Sequence, residues 1–553
     1  MDAEDQHQLY LKQASSSRSV DEAAKTYRLR YGRDPPPRFG RWYRYAILQE
    51  STVIDDFDSI SNDLLPFWSL TPAEIRLRTW ETLSNPGNSI GGIIIRNGKA
   101  AVSSNVPGSH RWMLDGVIHI MTPFLKWLPD MDLAFNLNDE CRVAVPFRGI
   151  EGMRKKGLPP SSLRPSNKTD YKPSRADDWQ PIPESPIEET RFIERSFSHV
   201  FHDYGSVGCP PSSKARRERH WDVGSYCSTC TSPHSLQQFV LNWTLAADPC
   251  HQPDLADLHG LYLSPAAFKT SNELMPVFSQ SKAHGFNDIL YPSAWNYEDK
   301  AVYAPSKELP DPPFVDKESM LFWRGATSEG VSFGTGTWRG MTRQRLVHLF
   351  NNASSGSHHL LLLPATSTKH PDPRPATYVY RAFAPATLHA NLNTSLGIVD
   401  RIERCRDRDC PDQDIEFAPQ YFAGTDFQEH WRYKYLFDVD GAGFSGRFLP
   451  FLQSGSLPFK TGLMREWWES RVTAWKHFVP VDVRLMEVWS LLAYFAGWKE
   501  GGMGAGTGGD AEETRWLMPP HEAEAEAIAV AGREWAGKVL RKEDMEVYFF
   551  RLL

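Results

Sequence analysis

Short apolar runs alternate along this chain with segments in which apolar residues recur at helical spacing. The apolar runs predict buried strands at 93–95, 133–135, 286–290, 319–323, 360–363 and 435–437. Helical spacing predicts a helix pair at 21–48 and further helices at 110–128, 234–243, 343–350, 483–495 and 516–553. This alternation is typical of an α/β protein, and its recurrence in two halves favours two doubly wound sheets with a ligand cleft between them.

With 553 residues, the chain is long enough for more than one domain. We divide it into a disordered N-terminus (1–20), a first domain (21–300), a second domain (301–500), a Gly-rich linker (501–515) and a closing helix (516–553). Inside the first domain, the Pro, Ser and charged residues of 150–190 predict a surface excursion.

Bulk composition narrows the class of protein. A net charge of −7 and a pI near 6.2 argue against a nucleic-acid-binding protein, because the basic clusters are short and isolated. No segment approaches the roughly 20 apolar residues of a transmembrane helix, so we expect no membrane span. The N-terminus is polar and acidic, unlike a secretory signal.

The seven cysteines leave the redox compartment open. They allow a small loop closed by Cys405 and Cys410 and two bridges among Cys209, Cys227, Cys230 and Cys250, with Cys141 left over. Half a zinc site at the single CxxC is the alternative, but the sequence has no second CxxC or HxxxH pair to complete it. Four sequons, which are compatible with a lumenal protein, occur at Asn167, Asn242, Asn352 and Asn393.

The run at 435–437 breaks into a Gly-rich loop and then meets Arg447, which opens an amphipathic segment. A strand, a Gly-rich loop and a helix with an early arginine commonly hold a nucleotide diphosphate, because loop amides approach the phosphates and the guanidinium grips two oxygens. Arg324 follows another predicted strand and precedes small hydroxyl residues, so two arginines can neutralise a diphosphate without a metal. An ordinary turn at Arg447 and a surface salt bridge at Arg324 are the alternatives.

Asp139 follows the apolar run at 133–135, at the carboxyl edge of a predicted sheet, where α/β enzymes place catalytic groups. A carboxylate there can take the proton from an acceptor hydroxyl. A helix cap or a turn aspartate is the alternative.

Five segments in chain order carry a family signature. The C-terminal segment contains the motifs KY-L-DxDG-x-S-x-R, G-S-L-x-x-K, EW and WxHxVP at 434–447, 455–460, 466–467 and 475–480. The other four segments are 23–43, 128–147, 322–330 and 531–553. Together they resemble glycosyltransferase family 90, which contains fungal capsule-associated proteins and animal protein O-glucosyltransferases and O-xylosyltransferases.

The resemblance implies a GT-B-like arrangement, in which two Rossmann-like domains face a cleft and the C-terminal helix returns to the first domain. It also implies inverting transfer of a sugar, xylose or glucose by family habit, from a UDP-sugar to a hydroxyl of a glycan or protein acceptor. Asp139 matches the catalytic base of the family. Donor contacts are expected from Arg324, Gly325, Thr327, Ser328, Gly443, Phe444, Ser445 and Arg447. Further candidates for the cleft are His110, Arg111, Asp440, Glu466 and His477, and we expect His477 to order the backbone instead of acting in catalysis.

Asp438 and Asp440 have the DxD form that binds a divalent ion in another glycosyltransferase class. Animal relatives lack this acidic pair, so we expect carboxylates that cap the loop, no metal requirement and no cofactor apart from the donor substrate. Two other functions stay open: a carbohydrate-binding or scaffold protein that kept the fold without turnover, and a metal-dependent DxD-type transferase. The resemblance implies the endoplasmic reticulum or Golgi, whereas the N-terminus leaves a cytosolic protein or a sequence without its anchor as alternatives.

Overall fold

A computed structural model describes residues 2–159, 181–183, 187–220, 226–351, 358–365, 377–418, 421–499 and 516–553. Within these ranges the α-helices are α1 (Ala3–Ala14), α2 (Val20–Tyr31), α3 (Phe39–Leu48), α4 (Asp58–Leu64), α5 (Pro72–Ser84), α6 (Gly108–Met121), α7 (Phe147–Gly157), α8 (Lys214–Arg217), α9 (Trp243–Ala246), α10 (Gly260–Leu263), α11 (Ala294–Tyr297), α12 (Thr342–Asn351), α13 (Pro385–Asn391), α14 (Asp409–Phe417), α15 (Phe448–Gln453), α16 (Val488–Ala496), α17 (Glu522–Val539) and α18 (Lys542–Leu552). None of these helices combines the length and the apolar character that crossing a membrane requires.

The β-strands of the same ranges are β1 (Ile90–Arg96), β2 (Lys99–Val102), β3 (Met131–Asn136), β4 (Ile193–Glu194), β5 (Ser235–Leu236), β6 (Phe239–Val240), β7 (Lys269–Thr270), β8 (Val277–Ser279), β9 (Lys282–Ala283), β10 (Ile289–Leu290), β11 (Glu318–Gly325), β12 (Ser332–Phe333), β13 (His359–Pro364), β14 (Tyr378–Phe383), β15 (Thr394–Val399), β16 (Cys405–Arg406), β17 (Tyr421–Phe422), β18 (Tyr433–Val439), β19 (Leu457–Thr461), β20 (Met464–Arg465), β21 (Val479–Pro480), β22 (Trp498–Lys499) and β23 (Trp516–Met518). The protein is therefore mixed α/β, as predicted.

The first large sheet has the strand order β10-β8-β3-β1-β2. Strand β1 runs antiparallel to β2 and β3, whereas β8 runs parallel to β3 and β10. The turn between β1 and β2 is Asn97-Gly98, with φ values of 51° and 71°, and an Asn-Gly pair with both φ values positive closes a tight hairpin. This sheet therefore contains both antiparallel and parallel pairs.

The second large sheet has the order β17-β15-β11-β18-β19-β21, and all its pairs are parallel. The chain starts at β11, adds β15 and β17 on one side, and then adds β18, β19 and β21 on the other. The direction of growth therefore reverses between β11 and β18. In open parallel sheets a crevice forms at the carboxyl ends of the strands where this reversal occurs.

Each large sheet lies in its own cluster of buried apolar residues. Phe135 belongs to the cluster around the first sheet, and Phe437 belongs to the cluster around the second. Although α18 is the last helix, its buried residues belong to the first cluster, where it packs on α3 and α6. Phe550 of α18 stacks on Phe124 with ring centroids 4.7 Å apart. The end of the chain thus completes the core around the first sheet.

Most predicted elements are confirmed. The predicted strands correspond to β1, β3, β10, β11, β13 and β18, and the predicted helices correspond to α2, α3, α6, α12 and α16. The surface excursion predicted at 150–190 begins inside α7, and its residues 160–180 and 184–186 lie outside the described residues. The predicted linker and the sequons Asn167 and Asn352 also lie outside them.

The expectation of a disordered N-terminus is wrong, because α1 occupies Ala3–Ala14. Asp2 caps this helix by accepting a 2.8 Å hydrogen bond from the Asp5 N–H. The ring of His7 makes an edge contact with Trp535 at 4.7 Å between centroids. The Ala14 carbonyl at the end of α1 also accepts the N–H groups of Ile54 and Asp55 at 2.8 and 2.9 Å. These partners are distant along the chain, so local composition does not reveal them.

Two other predicted helices differ in the structure. The segment 234–243 contains the hairpin β5–β6, in which Gln237 has a φ of 54°. The closing helix is two helices, α17 and α18, because Asp544 accepts the Arg541 N–H at 3.1 Å and starts a new helix there. Apolar spacing alone does not reveal either turn.

Replacing Phe550 with Ala should destabilise the protein by roughly 3–5 kcal/mol, because it empties a stacked aromatic position in the first core. The free energy of unfolding in urea measures the loss. Val530→Ala is the matched control, since Val530 is 45% exposed on α17 and should change stability by less than about 0.5 kcal/mol. Equal stability of the two variants would show that α18 is not part of the core.

Candidate active site

A cavity of about 650 Å³ lies at the carboxyl ends of β11 and β18. One wall is formed by Ser109, His110, Trp112 and Met113 of α6 and by 137–140 after β3. The other is formed by Gly325, Ala326 and Ser328 at the end of β11 and by 441–447 after β18. The cavity therefore occupies the point where the second sheet reverses its direction of growth, which is where open α/β sheets bind ligands. A cavity of about 750 Å³ beside α12 is larger but contains none of the site residues predicted from the sequence.

The two walls touch at Asp139. A Cβ atom on Gly443 would lie 2.8 Å from the Asp139 carbonyl oxygen and 3.2 Å from its Cβ atom. Only glycine allows this approach without a shift of the backbone. The Gly-rich loop after β18 consequently packs directly on the loop that carries the predicted base.

The Asp139 carboxylate is open to the cavity and accepts no hydrogen bond from the part of the chain that the structure describes. No helix starts at Asp139, so it does not serve as a helix cap. Desolvation by the surrounding protein raises the pKa of the Asp139 carboxyl above its ordinary value, while the positive charges of Arg404, His110 and Arg343 oppose this shift. Asp139 thus presents free carboxylate oxygens to a ligand.

Glu140 has a different role from its neighbour. It is 1% exposed and accepts hydrogen bonds from the backbone N–H groups of Ala266 and Ala267 at 2.9 and 2.8 Å. Burial and the adjacent Asp139 raise the pKa of Glu140. Its carboxylate fixes the loop of Asp139 against the segment after α10.

Arg343, near the start of α12, lines the cavity, although the sequence analysis did not select it. Its guanidinium donates to the Asp440 carbonyl at 2.8 Å, to the Ala326 carbonyl at 2.9 Å and to Ser328 Oγ at 3.0 Å. Burial and the neighbouring Arg447 lower its pKa to about 10, so it remains cationic at neutral pH. None of these hydrogen-bond partners is a carboxylate, and Glu329, Asp440 and Asp438 offset the charge of Arg343 only in part, so a ligand can still interact with it.

Glu329 holds α12 in this position. Its buried carboxylate accepts the Gly260 N–H at 2.7 Å, the Thr342 N–H at 3.1 Å and the Arg343 N–H at 3.0 Å. A carboxylate at a helix N-terminus satisfies amides that have no partner inside the helix. Glu329 also ties the first turn of α12 to the first residue of α10.

Two further arginines line the cavity. Arg447 donates to the Arg324 carbonyl oxygen, and Arg404 donates to the Ser328 carbonyl oxygen at 2.7 Å. Together with Arg343, they place three guanidinium groups around one cavity whose acidic lining residues are Asp139 and the internally bonded Glu140. The electrostatics of this cavity favour an anionic ligand.

Arg324 does not line the cavity, although the sequence analysis expected it there. Its guanidinium donates to the Ser395 carbonyl and hydroxyl, each at 2.8 Å, and lies 3.6 Å from the ring centre of Phe422. Thr327 is also turned away, because its hydroxyl bonds to the Glu403 carbonyl at 2.9 Å. Arg324 thus joins the end of β11 to β15, and Thr327 joins the loop after β11 to Glu403.

The acidic pair of the DxD sequence is buried and used within the protein. Asp438 pairs with Lys460 at 2.9 Å and accepts the hydroxyl of Ser445. Asp440 accepts the backbone N–H groups of Leu463 and Met464 at 2.6 and 2.9 Å. Through these contacts the two carboxylates fix the loop after β18.

Three other predicted cleft residues lie outside the cavity lining. Arg111 is exposed and lies 3.7 Å from Asp115 on its own helix. Glu466 is buried, which raises its pKa well above the usual range. His477 accepts the Thr473 N–H at 2.9 Å and stacks on Trp535, and burial lowers its pKa to about 3.

The structure therefore brings together part of the predicted site. The predicted residues that line the cavity are Asp139, His110, Gly325, Ser328, Gly443, Phe444, Ser445 and Arg447. Those that do not are Arg324, Thr327, Arg111, Asp440, Glu466 and His477. The sequence analysis missed Arg343 and Arg404, which come from a helix and a loop without a recognisable motif.

Three disulfides join Cys209 to Cys250, Cys227 to Cys230 and Cys405 to Cys410, and Cys141 is free and buried. Two groups of the described residues have the spacing of metal ligands: Cys209, Asp248 and Cys250, and Cys227, Cys230 and Asp254. In each group the cysteines are bonded to each other, and a disulfide sulfur is not the thiolate that zinc binds.

No family model matches the sequence, and no curated protein matches it significantly. The resemblance to glycosyltransferase family 90 therefore stays a prediction.

Replacing Asp139 with Asn should raise stability at pH 7. The pKa of Asp139 is higher in the folded protein than its ordinary value of 3.8, so wild type loses stability as pH rises from that value through the folded pKa. The stability difference between variant and wild type should vanish below about pH 3.8. Melting temperatures between pH 3.5 and 7 measure it, with the exposed Asp115→Asn as control. If the variant is instead less stable at pH 7, the attraction of the nearby positive charges for the Asp139 carboxylate outweighs the cost of its desolvation.

Proposed function

We propose that this protein is an inverting glycosyltransferase that moves a sugar from a UDP-sugar to the hydroxyl of an acceptor. One observation carries the proposal: the free carboxylate of Asp139 shares a single cavity with the guanidinium groups of Arg343, Arg404 and Arg447. A base beside a cationic, loop-built pocket is what transfer from an anionic leaving group requires. The family resemblance supports UDP as that leaving group, xylose or glucose as the sugar, and a GT-B-like arrangement of the two sheets.

The diphosphate is assigned to Arg343 and Arg447 and the loops beside them. Ser328 accepts a hydrogen bond from Arg343, which leaves its own hydroxyl proton for a phosphate oxygen. The hydroxyl proton of Ser445 is used by Asp438, so we assign Ser445 to the loop itself. The backbone N–H groups of 443–446 donate to no acceptor among the described residues, and such amides suit phosphate oxygens.

The reaction then needs one proton transfer. The acceptor oxygen forms a bond to the anomeric carbon as the bond from that carbon to the β-phosphate oxygen breaks, and the bonding electron pair leaves with UDP. Asp139 takes the acceptor proton, and its raised pKa brings it closer to the operating pH of a general base. The arginines stabilise the charge that grows on UDP, so the chemistry does not require a metal.

The disulfides also bear on location. Three bridges and two exposed sequons, at Asn242 and Asn393, suit an oxidising compartment. Together with the family resemblance, they support a role in the endoplasmic reticulum or Golgi. We propose a glycan or protein as the acceptor there.

UDP should stabilise the protein, and Arg447→Ala or Arg343→Ala should weaken UDP binding by roughly 2–5 kcal/mol, the usual cost of removing one partner of a buried charge pair. Calorimetry measures the affinity. Arg432→Ala is the matched control, because Arg432 is exposed and pairs with Glu318 at 2.6 Å outside the cavity. Arg324→Ala should retain more affinity than Arg447→Ala. Equal UDP affinity in wild type, Arg343→Ala and Arg447→Ala would refute the assignment.

Activity should survive EDTA, because arginines neutralise the diphosphate and the carboxylates of Asp438 and Asp440 are occupied by protein partners. UDP release in the presence and absence of chelator measures this. Complete loss on chelation, restored by manganese, would instead identify a metal-dependent DxD-type transferase.

Asp139→Asn should slow transfer by roughly 10²–10⁴-fold, the usual effect of positioned proton transfer. UDP affinity should change much less than turnover, because Asp139 comes from the loop after β3, whereas the assigned phosphate contacts come from α12 and the loop after β18. Turnover and UDP affinity are both measured on the same sample of the Asp139→Asn variant. Full turnover would remove Asp139 from the mechanism, and UDP binding without any turnover in wild type would favour a non-catalytic carbohydrate-binding protein.

A further inference from the structure

Trp295 is an unusual residue in the cavity wall. It is 40% exposed and is not a member of the hydrophobic clusters formed by the described residues. Its indole N–H donates to no acceptor in the described part of the chain. Tryptophan normally buries most of its large apolar surface, so an exposed indole inside a cavity indicates a binding surface.

The orientation of this indole is fixed by its surroundings. Trp295 is in the first turn of α11, where its backbone N–H donates to Ser293 Oγ at 3.1 Å. The ring of Trp112 on α6 makes an edge contact with it at 6.0 Å between centroids. One edge of the Trp295 ring packs against Gly446 in the loop after β18. A surface held in this way does not lose conformational entropy when a ligand binds.

Polar groups accompany the two tryptophans in the cavity lining. Ser109, His110 and Asn138 line the same cavity, and Lys300 Nζ lies 4.9 Å from the ring centre of Trp112. The exposed aromatic face of Trp295 is therefore combined with hydrogen-bonding groups in one cavity. A pyranose ring has the complementary form, with a C–H face that lies on an aromatic ring and hydroxyls at its rim.

We propose that Trp295, supported by Trp112, forms an acceptor subsite that binds a pyranose ring, so that the acceptor is a glycan and not a peptide side chain. This inference rests on the proposed function. Asp139 lines the same cavity as both tryptophans, so an acceptor stacked on Trp295 presents a hydroxyl to the base. The donor diphosphate, with its negative charge, is assigned to Arg343 and Arg447.

The test uses the full-length protein, radiolabelled UDP-xylose and UDP-glucose, and two kinds of acceptor. The first is a set of methyl glycosides of mannose, galactose, glucose and xylose; the second is a serine-containing peptide. Trp295→Ala should raise the KM for the best methyl glycoside at least about tenfold, the effect of losing an apolar contact in a pocket. Trp295→Phe should recover part of this loss. UDP affinity should stay within about twofold of wild type.

Trp68→Ala is the matched control, because Trp68 is 59% exposed and lies outside this cavity, so the KM should not change. Transfer to the peptide but to no glycoside would overturn the inference and leave the proposed function intact. An increase confined to the KM of the UDP-sugar would also overturn it and assign Trp295 to the donor. Absence of both UDP binding and UDP-sugar hydrolysis in wild type would overturn the proposed function and the inference together.

Discussion

The close packing of Gly443 against the backbone of Asp139 is the contact on which the candidate site depends. It joins the loop after β18 in the second sheet to the loop after β3 in the first. A side chain on Gly443 would collide with the Asp139 carbonyl at 2.8 Å and force the walls apart. The contact therefore sets the width of the cavity and brings a base from one wall next to arginines from the other.

The buried arginine of the candidate site differs from a buried arginine elsewhere in the protein in how its charge is compensated. Arg484 is completely buried and pairs with Asp254 at 2.7 Å and Asp482 at 3.0 Å. Its charge is neutralised inside the protein. Arg343 is also buried, but its guanidinium donates to two carbonyls and a hydroxyl, and Glu329, Asp440 and Asp438 act on its charge without a hydrogen bond to the guanidinium. A buried cation whose charge is offset only in part is costly in free energy, and an anionic ligand would reduce that cost.

Local pattern predicted much of the scaffold but less of the site. The strands β3, β11 and β18 are apolar enough to identify, and the loops after them carry Asp139, Ser328 and Arg447, which indeed line the cavity. The direction of each side chain is a tertiary property. Arg324 ends a strand as predicted but turns towards Ser395 on β15.

What the sequence analysis missed comes from contacts between distant segments. Arg343 reaches the cavity because Glu329 fixes α12, and no local pattern reveals that bond. The helix α1 packs through His7 on Trp535, more than 500 residues away along the chain. The antiparallel pair of β1 and β2 comes from the tight turn at Asn97-Gly98, and an Asn-Gly pair is a hairpin signal that is visible in the sequence.

The most direct test of this account is a crystal structure of the protein with UDP. The account predicts that both phosphates lie between Arg343 and Arg447, within hydrogen-bonding distance of the 443–446 amides, and that Asp139 stays free of the nucleotide. UDP bound in the other cavity, the one of about 750 Å³, would contradict it, and so would phosphates held by Arg324 alone.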